Sequence, residues 1–366
     1  YKVYEAVNSI NGRSAYTLPD QLNNINLKPE ITSSLETGLQ LQFFRDLINL
    51  DFTYYNNTSR NQIISLPTSD AFGYSSKLIN AGEINNRGFE VILGINPVKS
   101  YNWDWNTTIN FSRNINKIFK LSDAVNKLNL STTLVTLTAQ EGKSYGQIEG
   151  YDFVYAPNGQ KVIDENGLYM RTQQIVPLGS VLPDFLWSFQ NGLRYKNLRF
   201  NFLIDSRVGG KFYSQTYSVA MYSGILPETA ANGIRETGVI ADGVTANVTF
   251  NADGSYDVTD IAPNTKSVTA QAWSRNHRNG PTTFSIFDAT FIKLRELSMG
   301  YDFKLSENSP VNSIGASVYA RNLFYLYRES KTIDPELTNS SGNVQGIEGG
   351  NMPTPLTYGI NLSIRF

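Results

Sequence analysis
The chain has 366 residues, a formal net charge of -1, one histidine, no cysteine, and only 17% charged residues, against about 25% in ordinary soluble domains. Near-neutral charge argues against a nucleic-acid surface. A mean hydropathy of -0.29, with no apolar run near the roughly 18 residues a spanning helix needs, excludes a helical membrane protein.

Tyrosine (21), phenylalanine (20) and glycine (28), with abundant Asn, Ser and Thr, suit strands and turns. Tyr1 is not a start residue, and no charged n-region with an apolar h-region follows it. The chain is therefore expected to be processed or a piece of something longer. From Tyr1 to Ile31 alternation is absent and Asn-Gly, Leu-Pro-Asp and Lys-Pro-Glu mark turns, so 1–32 reads as the end of a loop.

Period-two patterning then begins, one set of residues to each face of a strand. Over Ser33 to Phe44, Leu35, Thr37, Leu39, Leu41 and Phe43 oppose Glu36, Gly38, Gln40 and Gln42. After a turn at Arg45-Asp46, Ile48, Leu50, Phe52 and Tyr54 alternate with Asn49, Asp51, Thr53 and Tyr55. Phe89, Val91, Leu93 and Ile95 form the next strand. Beyond a turn at 97–100, Trp103, Trp105, Thr107, Ile109 and Phe111 form another. Trp187, Phe189, Leu193 and Tyr195 turn at Lys196-Asn197 into Leu198, Phe200, Phe202 and Ile204. Leu297, Met299, Tyr301 and Phe303 follow, then Ile314, Ala316, Val318 and Ala320. Last come Leu356, Tyr358, Ile360, Leu362, Ile364 and the terminal Phe366. That makes about nine strands, each roughly long enough to cross a bilayer when tilted.

Their spacing carries the argument. Connections are short at 45–47, 97–101, 196–197 and 304–312, and long at 60–86, 114–184, 212–289 and 325–355, in strict alternation. A soluble all-β sandwich has no reason to put every long loop at one end; a transmembrane antiparallel β-barrel does, with short periplasmic turns and long extracellular loops. The expected fold is thus all-β, with 33–366 supplying C-terminal barrel strands and the C-terminus periplasmic. One face is polar (Glu36, Gln40, Gln42, Asp51, Asn106, Asn110, Gln190, Arg194, Asn361, Arg365), as a barrel interior should be. Phe43, Tyr54, Trp103, Tyr195, Phe303 and Phe366 near strand ends fit interfacial girdles. An odd number of strands cannot close an antiparallel ring, and each unpaired edge group costs several kcal/mol in hydrocarbon. The remaining strands must come from upstream sequence or another chain.

Particular segments resemble a known family. Asn26-Leu-Lys-Pro-Glu-Ile-Thr32, Asp51-Phe-Thr-Tyr-Tyr55 with Asn61-Gln-Ile63, and the long block Gly73 to Gly88 resemble SusC/RagA-type TonB-dependent outer-membrane transporters. So do Phe291 to Tyr301, Ala320-Arg-Asn-Leu-Phe324 and the stretch beginning at Tyr358. The resemblance implies a 22-stranded barrel with an N-terminal plug, of which this sequence holds neither the plug nor a TonB-contacting segment. It further implies the Gram-negative outer membrane, energy from the TonB complex, a SusD-like surface lipoprotein as lid, oligosaccharide or oligopeptide cargo, and dimers of transporter–lid pairs.

The longest loops hold the candidate binding residues. Tyr145, Tyr151, Tyr155 and Tyr169 lie in 114–184; Tyr213, Tyr217, Tyr222, Trp273, Asn276, His277 and Arg278 lie in 212–289. Apolar ring faces with a few amide and guanidinium donors are what sugar or peptide recognition uses. The alternative is that these aromatics simply pack the loops. Asp164 to Gly167 and Asn251 to Asp257 lack the full calcium-loop spacing and read as hairpin turns. His277 has no second ligand near it in sequence, and no catalytic motif appears, so neither a metal, a cofactor nor an enzyme is expected. A passive porin and a structural surface barrel remain alternatives to an active importer.

Overall fold
The computed structural model describes residues 5–10, 13–17, 20–67, 71, 73–122, 125–132, 135–306, 310–338 and 342–365. The terminal aromatic Phe366 and the residues before Glu5 lie outside it. Nine strands form one sheet: β1 (Ile31–Phe43), β2 (Ile48–Arg60), β3 (Glu83–Lys99), β4 (Trp103–Lys120), β5 (Phe185–Tyr195), β6 (Leu198–Val208), β7 (Phe291–Lys304), β8 (Ser313–Arg328) and β9 (Thr357–Arg365). Each pairs antiparallel with its sequence neighbours, a plain meander in which β1 and β9 are left as edges. No described helix is long and apolar enough to cross a membrane.

Strand lengths differ from expectation in one direction. β3 begins at Glu83 and not near Phe89, β4 runs on to Lys120, and β7 begins at Phe291 and not Leu297. Three of the long connections shorten accordingly, to 61–82, 121–184 and 329–356, while the fourth, at 209–290, is slightly longer than expected because β6 ends at Val208. The short ones are 44–47, 100–102, 196–197 and 305–312. At the first of these, Phe44, Arg45 and Asp46 all take positive φ (54°, 54° and 68°), reversing the chain within four residues.

Register places one apolar row across eight strands: Leu41, Leu50, Leu93, Ile109, Phe189, Ile204, Leu294 and Phe324. The next row, on the opposite face, reads Gln40, Asp51, Ile92, Asn110, Ser188, Asp205, Lys293 and Tyr325. The apolar face is not covered: Leu39, Val318, Phe324 and Ile360 are more than half exposed. The polar face pairs its own charges, Arg194 with Asp104 (3.5 Å), Arg199 with Asp302 (2.9 Å) and Arg321 with Glu296 (2.9 Å). At the turn end of the sheet the Trp103 and Tyr195 rings stand 4.3 Å apart.

The buried core lies elsewhere. Among the buried hydrophobic residues only Ile118 and Phe291 belong to the nine strands, both at the long-loop end. The rest sit in the connections, which build small sheets and helices of their own. Val135, Leu137, Ile148, Val181, Tyr213 and Ile347 join three loops into one cluster. Lys211–Ser214 pairs with Ile286–Asp288 on one side and Ile347–Glu348 on the other. Glu348, 1% exposed, caps the helix Gln215–Tyr222, accepting from Ser214 Oγ (2.5 Å), Thr216 Oγ1 (2.5 Å) and Gly350 N (2.8 Å). The two acidic motifs are hairpin turns: Gly167 N donates to Asp164 O, and Phe250 pairs with Tyr256.

Candidate functional site
Where the polar face of the sheet meets the loop layer there is a cavity of about 690 Å3. Glu90, Asn110, Ser188 and Asp205 line it from β3–β6, and Lys211, Phe212 and Glu336 from the loops. Its size is within the range of ligand pockets. One corner is closed by a dense ionic cluster. Arg295 follows Lys293 by two residues on the same face of β7, and a bulge against β6 between Leu294 and Glu296 brings Glu296 to that face as well. Arg295 then grips Asp205 through both oxygens (3.0 and 2.7 Å) and Glu336 at 2.5 Å. Lys293, 3% exposed, reaches Glu336 at 2.5 Å. A lysine so buried needs such a partner. Burial opposes ionisation of Glu336, yet the hydrogen bonds and charges of Arg295 and Lys293 outweigh it and hold the carboxyl below its ordinary range. The cluster thereby fastens 329–356 to the sheet.

A second assembly joins the two longest loops. Phe153 packs edge-on against Phe284 (4.6 Å) and Tyr169 (5.6 Å), and Phe284 lies 3.9 Å from the His277 ring. Trp273 closes on His277 at 4.6 Å, and Lys161 Nζ sits 4.0 Å over Phe153. Asn276, on the helix Ala270–Asn279, mimics a strand partner: its Oδ1 accepts from Tyr169 N (3.1 Å) and its Nδ2 donates to Tyr169 O (3.3 Å). The His277 Nδ1 bonds Trp273 O at 3.0 Å. A carbonyl can only accept, so Nδ1 carries the proton. Burial lowers the imidazole pKa to about 4, against the pull of the Trp273 carbonyl and with help from the Lys161 charge. Burial likewise lowers Lys161, despite Asp242 and Asp152 nearby, and raises the Tyr169 hydroxyl.

The sequence-predicted residues are therefore split. Tyr169, Trp273 and Asn276 meet in this one assembly, with His277. Tyr155 is 36% exposed, its ring 6.0 Å from Phe153. Tyr151 lies under Arg171 (4.1 Å). Tyr145 donates to Asn343 Oδ1 (2.7 Å) and packs beside Ile118, Leu121 and Ala139, away from the others. Tyr213 is buried in the three-loop cluster, and Tyr217 stacks edge-on against Phe287 at 5.0 Å. Tyr222 stands beside Arg278 at 5.5 Å and Arg275 at 5.3 Å. Arg278, Arg171 and His277 line a separate polar cavity of about 330 Å3.

Sequence reasoning missed Phe153, Phe284, Lys161 and Arg171, which come from chain positions up to 131 residues away from their partners and carry no periodic signal. It also missed Asp205, Lys293, Arg295 and Glu336. The run Lys293-Leu-Arg-Glu296, with three charges in four residues at the start of an alternating strand, was the available signal.

A family model described as TonB dependent receptor-like, beta-barrel matches residues 5–276. TonB-dependent receptor P3 of Formosa agariphila is 27% identical over 376 residues, covering 94% of this chain and 35% of its own length. TonB-dependent receptor SusC of Bacteroides thetaiotaomicron is 21% identical, covering 94% of this chain and 32% of its own length. The RagAB peptide transporter superposes with a TM-score of 0.70 at 19% identity, covering 99% of this chain and 38% of that one. Against its curated relatives the chain spans between 32% and 37% of their length.

Proposed function
This chain belongs to the TonB-dependent receptor-like β-barrel family, and on that premise we propose that it forms the C-terminal strands of an energised importer. The family is one of transporters rather than of enzymes, and membership implies the Gram-negative outer membrane. In this reading β1–β9 are part of a plugged 22-stranded barrel, with the apolar row in lipid, the four long connections extracellular and β9 ending at the periplasm. A SusD-like surface lipoprotein is proposed to cover the loop layer, and oligosaccharides or oligopeptides to be the cargo. The two outer strands, β1 and β9, each pair on one side only among the described residues, which supports further strands on either side. Tyr155 and Arg278 are the proposed cargo or lid contacts, while Tyr145, Tyr151, Tyr169, Trp273 and Asn276 give the loops their shape.

The family match over 5–276 carries this reading. Its test is uptake by the host organism, of a labelled oligosaccharide mixture and a labelled oligopeptide mixture, with the gene deleted or the TonB complex disabled. Loss of uptake of one mixture in both backgrounds is expected. Uptake that survives loss of TonB, together with steady ion conductance of the purified protein in a planar bilayer, refutes it in favour of a passive pore. Uptake of both mixtures unchanged by the deletion refutes it in favour of a structural role.

A further inference from the structure
The polar cavity of about 330 Å3 lies between the loop 121–184, which contributes Arg171, and the loop 209–290, which contributes Arg278, Asn279, Thr282 and Ser285. Its arginines differ from those that line the polar face of the sheet. On the inner wall Arg194, Arg199, Arg295 and Arg321 each hold a carboxylate. Among the described residues Arg171 and Arg278 hold none. Both are placed by aromatic rings: Arg171 lies 4.1 Å over Tyr151 and donates to Asn279 O (3.3 Å), and Arg278 lies 5.5 Å from Tyr222. A guanidinium stacked on a ring keeps its in-plane N–H edge for a planar oxyanion.

A second observation is independent of the arginines. Ser285, 2% exposed, lines the same cavity, and its Oγ makes no hydrogen bond to the protein. A buried hydroxyl without a partner costs roughly 1–3 kcal/mol, a cost that a ligand group would offset. The last turn of the helix Ala270–Asn279 points its carbonyl end here and contributes about half a negative charge, screened and short-ranged. Two unpaired guanidiniums outweigh it.

We propose that this cavity is a subsite for one terminal acidic unit of a cargo, its carboxylate held by Arg171 and Arg278 and an adjacent hydroxyl or amide by Ser285. Its volume lies at the lower end of ligand pockets, room for a single sugar ring or a single amino acid and not for an oligomer. The carboxylate belongs either to a hexuronate or to a peptide C-terminus, chemistry the two share. This inference rests on the import reading above.

The test is calorimetric binding by the intact outer-membrane protein in detergent, at low salt, with two matched pairs of probes. One pair is a galacturonate trimer and the neutral galactose trimer; the other is trialanine and its C-terminal amide. At least a tenfold preference for the acidic member of one pair is expected, and the pair that shows it identifies the source. Arg171→Gln with Arg278→Gln should erase the preference, and Ser285→Ala should weaken binding of both members of that pair several-fold while leaving the preference between them. Should the double variant fail to assemble, Arg278→Gln alone decides, since that side chain is exposed. Equal affinities within both pairs, or a preference that survives the arginine substitutions, overturn the proposal. TonB-dependent uptake by the host without any acidic preference overturns this inference alone and leaves the import reading standing.

Discussion
Burial has its sharpest consequence at His277. The folded imidazole titrates at about 4, whereas an unfolded histidine titrates near 6.5. As pH falls through that interval the unfolded loop binds the proton first, so stability is full above about pH 6.5 and declines until about pH 4. The expected loss between pH 8 and pH 5 is about 2 kcal/mol, local to the loop layer. Hydrogen exchange of the helix Ala270–Asn279, corrected for intrinsic rates, should report it, and His277→Phe should flatten the dependence. A slope unchanged by that substitution would mean another group titrates. Tyr169, Trp273 and Asn276 could be flagged from sequence as aromatic or amide groups in long loops. That they meet Phe153, Phe284 and Lys161 could not, because the contacts join segments about a hundred residues apart.

Element by element, alternation located each of the nine strands and mistook some of their ends. From Phe291 to Leu297 a bulge against β6 shifts the phase, so that Ile292 and Leu294 face outward before it and Leu297 after it; Glu83 to Gly88 instead carries polar residues, Asn85 and Arg87, at outward positions. A strand that rises clear of hydrocarbon no longer needs an apolar side, so the period fades while the hydrogen-bonded ladder continues. One outward interruption has a different cause. Asn191 on β5 faces Thr107 on β4, and its Nδ2 donates to Thr107 Oγ1 at 2.7 Å with both residues 8% exposed. Two polar groups on the apolar face thus satisfy each other. Glycine also has a definite place in the ladder. Gly88 of β3 sits opposite Tyr55 of β2, and a Cβ there would stand 2.1 Å from Arg113 O and 2.6 Å from the Tyr55 hydroxyl. Tyr319 covers Gly359 in the same way across β8 and β9. Because a backbone atom cannot swing aside, Gly88→Ala should destabilise the barrel by about 1–3 kcal/mol. Urea unfolding in detergent would show the shift, and a wild-type midpoint would disprove the crowding.

For the whole molecule, the decisive feature is an inverted core: apolar side chains cover the outside of the sheet, and the dry interior belongs to the loops. If hydrocarbon surrounds that row, Ile109→Arg near its middle should cost about 2–4 kcal/mol, while Gln190→Arg on the opposite face should cost far less. The measurement is the unfolding free energy of the intact protein in lipid vesicles. Equal costs would mean that the two faces share one environment.

By itself the sequence determined the strand class, the two faces, the alternation of short and long connections and the resemblance to its family. These follow from φ/ψ geometry and turn chemistry, which act between residues close along the chain. Only the tertiary structure decided that Lys293 and Arg295 anchor Glu336, that Lys161 sits among three rings, and that Arg171 and Arg278 face one cavity. Such partners are chosen by how distant loops close over one another, and no local period encodes that choice.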